Sequence, residues 1–267
     1  MNMKLRVERL SVIMGVGLLG FVAGCPIPDV VDGDGGPPAA FTNADAARGG
    51  AMYDKFWSVA DLDAPTDDHP LWASRPDTVS NTRTGADTWR CKECHGWDYK
   101  GVDGAYSSGS HRTGIAGIFG TTLSAQEAFD QIKTGHAYGG SGLSDEDIWD
   151  LAKFVLDGQI DTDTIIDTGG VFTGAVNAGQ TLYESGIGTN VACMVCHGAD
   201  GLLPPPGAPA DHEDFVGLVA NENPWEFQHK VRFGQPGTTM PSSVAGGGTT
   251  QDVADLGAYA QSLPEAP

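Results

Sequence analysis

The chain has 267 residues, enough for one large domain or two ordinary ones. Thirty-five Asp and Glu against 15 Lys and Arg give a formal charge of -20, which repels nucleic acid and anionic headgroups and excludes both as direct partners. The same excess suits a basic protein partner, and an acidic or high-salt habitat accounts for it equally well.

Lys4, Arg6 and Arg9 precede an apolar run from Leu10 to Phe21, too short to span a bilayer and suited to the centre of an export signal. Val22-Ala23-Gly24-Cys25 then resembles the lipobox of bacterial lipoproteins. That resemblance implies a signal at residues 1–24 and acylation of the Cys25 thiol. The product would be lipid-anchored to a bacterial membrane, facing the periplasm or the exterior. Loss of Lys4, Arg6, Arg9 and Glu8 takes the charge to -22, with 12 basic and 34 acidic residues left. Residues 25–40, rich in Pro, Gly and Asp, read as a flexible tether.

The first folded stretch, Ala46 to Tyr53, reads as a helix with glycine about one turn ahead of Tyr53. About 58–87 follows as an irregular, solvated insertion rich in Asp, Pro, Ser and Thr, with Asp67 and Asp68 in water. Cys91-Lys92-Glu93-Cys94-His95 comes next. Ala128 to Gly135 reads as a short helix stopped by glycine. A closing helix starts at a Ser144 cap, with Ile148, Leu151, Ala152 and Val155 on one face. Residues 158–168, Asp-rich, read as a linker between a first domain at 41–157 and a second at 169–267.

The second half repeats the first. Gly179 precedes Tyr183, Cys193-Met194-Val195-Cys196-His197 answers the first cysteine motif, and Glu226 to Gly234 is the second short helix. A helix capped at Thr249 or Thr250 and carrying Val253, Leu256, Ala260 and Leu263 closes the chain.

C-x-x-C-H is the attachment signature of c-type haem. Two thiols three positions apart on one turn reach two vinyl groups, and the next residue sets an imidazole under the iron. A four-thiolate zinc site or two redox disulfides would use the cysteines but leave both histidines without a role. Cys91, Cys94, Cys193 and Cys196 are therefore expected to hold two haem c groups, with His95 and His197 as proximal ligands.

Together these features resemble the class I cytochrome c domain, twice over, across nearly all of 41–264. The resemblance implies an all-α fold of two tandem domains, each a few helices around a covalently bound haem. It also implies a crossing of first and last helices at a small residue beside an aromatic, with Gly50 and Trp149, and Gly179 and Tyr259, as the candidates. In that family the distal ligand comes from the loop before the last helix, where Met240-Pro241 stands in the second half. No methionine lies between Cys94 and Met194. His136, 41 positions after His95, matches Met240, 43 positions after His197, and His111 is the alternative. His69, His212 and His229 fall outside matching positions and read as surface residues.

The implied activity is electron transfer by a membrane-anchored dihaem cytochrome. A bis-His haem in the first half would pass electrons to a His-Met haem in the second, and no catalytic residue is needed. Redox proteins with basic docking surfaces would be its partners. A peroxidase-like or sulfur-compound-oxidising enzyme with a reactive first haem is the alternative, and a cytochrome subunit of a dehydrogenase or terminal oxidase is a third possibility.

Overall fold

A computed structural model describes residues 36–204 and 214–267. The span read as an export signal, Cys25, most of the span read as a tether, and His212 lie outside the described residues. Within them regular structure is helical, apart from isolated bridges pairing Gly101 with Ala116 and Ile166 with Phe172, so the all-α class holds. No helix among the described residues is long and apolar enough to cross a membrane.

The first half contains α1 (Ala39–Asn43), α2 (Ala46–Val59), α3 (Cys91–His95), α4 (Ala125–Asp130) and α5 (Asp145–Lys153). The second contains α6 (Val176–Ser185), α7 (Met194–His197), α8 (Val216–Glu222), α9 (Pro224–Phe233) and α10 (Thr250–Ala260). Helix α1 starts inside the span read as tether because Phe41 buries its ring edge-on to Trp149, 6.4 Å between centroids. Helices α4, α5 and α10 each begin at a capping box, with Ser124, Ser144 and Thr249 answered by Glu127, Asp147 and Asp252. Each cap stabilises its helix by about 1 kcal/mol.

The repeat is clearest where first and last helices cross. A Cβ on Gly49 would lie 2.0 Å from the Asp150 carbonyl oxygen, and one on Gly179 would lie 1.8 Å from that of Asp255. Phe154 and Tyr259 stand beside these glycines, each with its Cβ under 3 Å from the same imagined carbon. The Asp150 carboxylate accepts from Asp45 N and the Asp255 carboxylate from Ala175 N, both at 2.7 Å, so α5 caps the start of α2 and α10 that of α6. The pairing of Gly179 with Tyr259 forms, but the first-half pair is Gly49 with Phe154, not Gly50 with Trp149. The Gly49-Gly50 doublet is split between two neighbours. Gly49 admits α5, whereas Gly50 faces the Phe233 ring of α9, 2.3 Å from where a Cβ would stand. Trp149 instead stacks on Phe129, 4.2 Å between centroids.

Two further expectations fail for one reason: polar residues that satisfy one another look solvated in a composition count. In the 58–87 insertion, His69, Trp72, Arg75 and Asn81 are buried. The Arg75 guanidinium lies 3.9 Å over the Trp72 ring and donates to the carbonyls of Trp72 and Asn81 at 2.6 and 2.7 Å. Asp67 and Asp68 are exposed, as read, while the Asp67 backbone carbonyl accepts from Trp89 Nε1 at 2.9 Å and the Asp68 carboxylate from Gly85 N at 2.5 Å. The insertion is built, not loose. Nor do residues 158–168 form a free linker. Ile165 and Ile166 enter the second core with Phe172, and Lys100 Nζ pairs with Asp161 and Asp163 at 2.7 and 2.8 Å.

Helix α9 belongs to the second repeat but packs into the first half. His229, expected at the surface, is 1% exposed among Tyr53, Trp97, Tyr99 and Phe233. Its Nε2–H donates to Gly50 O at 2.9 Å, so Nδ1 accepts from the Tyr99 hydroxyl at 2.8 Å. Gln228 Nε2 donates to Trp97 O at 3.1 Å, and Arg232 Nη2 to Gly158 O at 2.7 Å. Burial pulls the His229 imidazole down to about 3, so the folded chain holds it neutral where an unfolded chain takes a proton. Its contribution is complete above about pH 6.5 and falls by roughly 1.4 kcal/mol per unit as pH drops toward about 3. Urea unfolding at pH 7 and pH 5 is expected to show an acid loss that is smaller in His229→Gln.

Candidate haem centre

The first cysteine motif is one short helical turn, α3, held by its backbone. The His95 carbonyl accepts from Gly101 N at 2.9 Å, and the Cys94 carbonyl from the Thr113 hydroxyl at 3.1 Å. Gly96 ends the turn at φ 75°, ψ 163°, a conformation that favours glycine, and its carbonyl accepts from the Tyr53 hydroxyl at 2.7 Å. The second motif repeats each feature it can. Gly198 has φ 75°, ψ 170°, Tyr183 OH donates to Gly198 O at 2.7 Å, and the His197 carbonyl accepts from Leu203 N at 3.0 Å.

Cys91, Cys94, His95 and His136 line one cleft that encloses about 750 Å³ of non-protein space, its open mouth included. Its walls are largely apolar, with Ile118, Leu123, Ile132, Leu151 and Val155 contributing. The His95 Nδ1–H donates to Ala116 O at 2.8 Å and the His136 Nδ1–H to Gln131 O at 3.0 Å. In each ring the backbone thus fixes the tautomer that leaves Nε2 as a bare lone pair. The two ring centroids are 6.0 Å apart, with planes at 62°. A metal bonded at about 2 Å to each Nε2 needs a centroid separation of about 6 Å. Burial lowers His95 to about 4, and the nearby His136 adds to the shift, so the imidazole is held in its ligating, neutral form. Burial raises the Cys91 thiol to about 11 and Cys94 to about 12, so both are protonated in the bare chain. All four motif cysteines are free of disulfides. No group of three or more His, Cys, Asp or Glu side chains converges as a metal-ion site among the described residues, which removes the four-thiolate zinc reading.

His111 does not line this cleft. Its Nδ1–H points to Glu93 Oε1 at 3.2 Å while Arg83 donates to Nε2 at 2.9 Å. Glu93, between the two cysteines, is buried against Asn81 at 2.6 Å and Lys92 at 2.6 Å. Burial opposes its charge, but these partners and His111 hold the carboxyl well below its ordinary range.

In the second half Cys193 and Met240 pack, partly buried, against the same core. The Met240 loop leaves α9 at Gly234, φ 79°, and Met240 N donates to the Thr238 hydroxyl at 3.2 Å. Burial raises Cys193 to about 11. Residues 194 and 195 of this motif are exposed, whereas Lys92 and Glu93 are buried, Glu93 against Asn81 and Arg83 of the insertion.

Three residues near the first centre carry no motif signal. Tyr138 faces Cys91 Sγ at 3.6 Å and donates to Trp89 O at 2.6 Å. Arg90 lines the cleft with its guanidinium paired to Asp54. His69 lines it from the insertion. Only the unusual cluster of Trp72, Trp89 and His69 in a polar segment pointed that way.

Residues 80–155 match the family model described as cytochrome c oxidase, cbb3-type, subunit III. No curated protein and no solved structure matches the chain. In keeping with the fold and cleft above, the match identifies a cytochrome c domain within this stretch of the chain, of the kind that binds covalent haem c and carries electrons. The matched span contains Cys91, Cys94, His95, His111 and His136, together with the cleft walls on α4 and α5, and ends before the second motif.

Proposed function

We propose that the protein is a dihaem electron carrier, exported and lipid-anchored through Cys25. Cys91 and Cys94 attach one haem c between His95 and His136. Cys193 and Cys196 attach a second between His197 and Met240. The observation that carries the reading is the His95–His136 pair, with Nδ1 of both rings tied to backbone carbonyls and centroids 6.0 Å apart. The second site rests on the repeated crossing, the repeated tyrosine-to-glycine hydrogen bond and the Met240 loop.

A bound haem supplies a one-electron iron couple. His95 and His136 would hold that iron between them and keep it from water and peroxide, which favours carriage over catalysis. The Met240 thioether would favour the reduced state of a haem held there, which would set the His197 site above the His95 site in potential and give electron flow its direction. A basic-faced redox protein fits the acidic surface as the partner.

Intact mass should show the polypeptide plus two haems, and potentiometric titration should resolve two one-electron steps. His136→Ala is expected to convert the lower-potential haem to a high-spin form that binds cyanide. One haem by mass, or an unchanged spectrum in His136→Ala, rejects the corresponding part of the reading.

A further inference from the structure

We infer that His69, supplied by the insertion, is a positioning residue that braces the distal histidine of the first haem. The inference rests on His136 being that ligand. His69 is 7% exposed and lines the same cleft as His95 and His136 without facing either ring nitrogen of His136. Instead its Nε2 lies 2.8 Å from the His136 carbonyl oxygen. A carbonyl only accepts, so Nε2 carries the proton. Leu71 N donates to the other nitrogen, Nδ1, at 3.2 Å. Both ring nitrogens are thus committed to backbone, and the tautomer is fixed from two sides.

The bond falls on a peptide that needs holding. Ala137, next in the chain, sits at φ 61°, ψ 13°, a left-handed conformation that a residue with a Cβ adopts at a penalty. Such a conformation persists where its surroundings over-determine it. His69 supplies part of that constraint, and its ring packs against Trp89 at 4.6 Å and Tyr138 at 5.6 Å. Tyr138 in turn faces Cys91. One imidazole therefore joins the insertion, the distal loop and the wall beside the first thioether cysteine. In the second half, whose motif follows its first helix with no insertion, the short connecting stretch bonds the loop beyond Met240, Asn190 Nδ2 donating to Ser242 O at 2.9 Å, whereas in the first half the insertion grips the carbonyl of the distal residue itself. The insertion accordingly gives the first haem a ligand that is slow to leave, and this is a role for the 58–87 segment in place of covering alone.

The test uses the holoprotein. His69→Phe keeps the aromatic packing and removes the donor, while His69→Gln keeps a side-chain N–H for the carbonyl. In His69→Phe, cyanide should bind the first ferric haem about ten times faster, as loss of one hydrogen bond implies. The low-spin ferric resonance of that haem should also shift, since it follows the angle between the imidazole planes. His69→Gln should return both readouts close to the parent. The His-Met haem, observed in the same samples, should be unchanged in all variants and certifies the fold. Parent-like cyanide kinetics and resonance in His69→Phe overturn the inference while leaving His136 as ligand. If His136→Ala alters neither readout, the ligand assignment falls and the brace with it.

Discussion

Met240→Ala is expected to lower the midpoint potential of one haem by on the order of 100 mV and leave the other where it was. Thioether sulfur stabilises the ferrous state, and its replacement by water or a weak nitrogen ligand removes that preference. The far-red charge-transfer band of the ferric His-Met centre should vanish in the same variant. Because electron flow in the proposed carrier depends on the gap between the two sites, the variant should also slow delivery to any acceptor more than uptake from any donor. Two unchanged potentials would mean that Met240 is not bound to iron, and the direction assigned to electron flow would then have no basis.

The largest loss of stability is expected at the helix crossings. Gly179→Ala places a carbon 1.8 Å from a backbone oxygen, and Gly49→Ala places one at 2.0 Å. Neither obstacle is the end of a flexible side chain, so the helices themselves must part. Parting also pulls Asp150 and Asp255 from the helix starts they cap. A destabilisation of about 3 kcal/mol or more is expected for each, above the usual range for a single added methyl. Gly140→Ala, with nothing within 4 Å of the new carbon, is the control and should stay within about 0.5 kcal/mol. Thermal unfolding of the holoprotein checks all three, and a Gly179→Ala protein as stable as the control would contradict the packing described.

What could be read beforehand followed how local each signal is. The cysteine motifs, the Ser144 and Thr249 caps and the Gly179–Tyr259 contact are written in short stretches with one physical meaning each. The Gly49-Gly50 doublet was not resolvable, since two helices compete for two adjacent glycines and only the placement of α9 decides between them. His229 looked like a surface residue because it falls outside the matching ligand positions, and its burial is decided by Tyr53, Trp97 and Tyr99 of the first half, which nothing in its own helix announces. The insertion misled for a different reason. Its Asp, Arg, Asn and Thr side chains bond one another and the backbone, so a polar composition concealed a folded one. His69 could not have been separated from a solvent-facing histidine without the His136 carbonyl it meets.

The lodging of α9 in the first half bears on how this protein can be divided. A tandem pair of like domains invites expression of either half alone. Here a cut near Gly158 would strip His229, Gln228 and Phe233 from Tyr53, Trp97, Tyr99 and Gly50, exposing aromatic rings and backbone carbonyls together. The isolated first half would carry a sticky, half-polar scar, and the isolated second half an unsupported helix studded with buried-type side chains. Although its halves repeat one another in sequence, the stretch from Pro37 to Pro267 is one compact unit, and whatever each half binds is inherited, produced and turned over with the other.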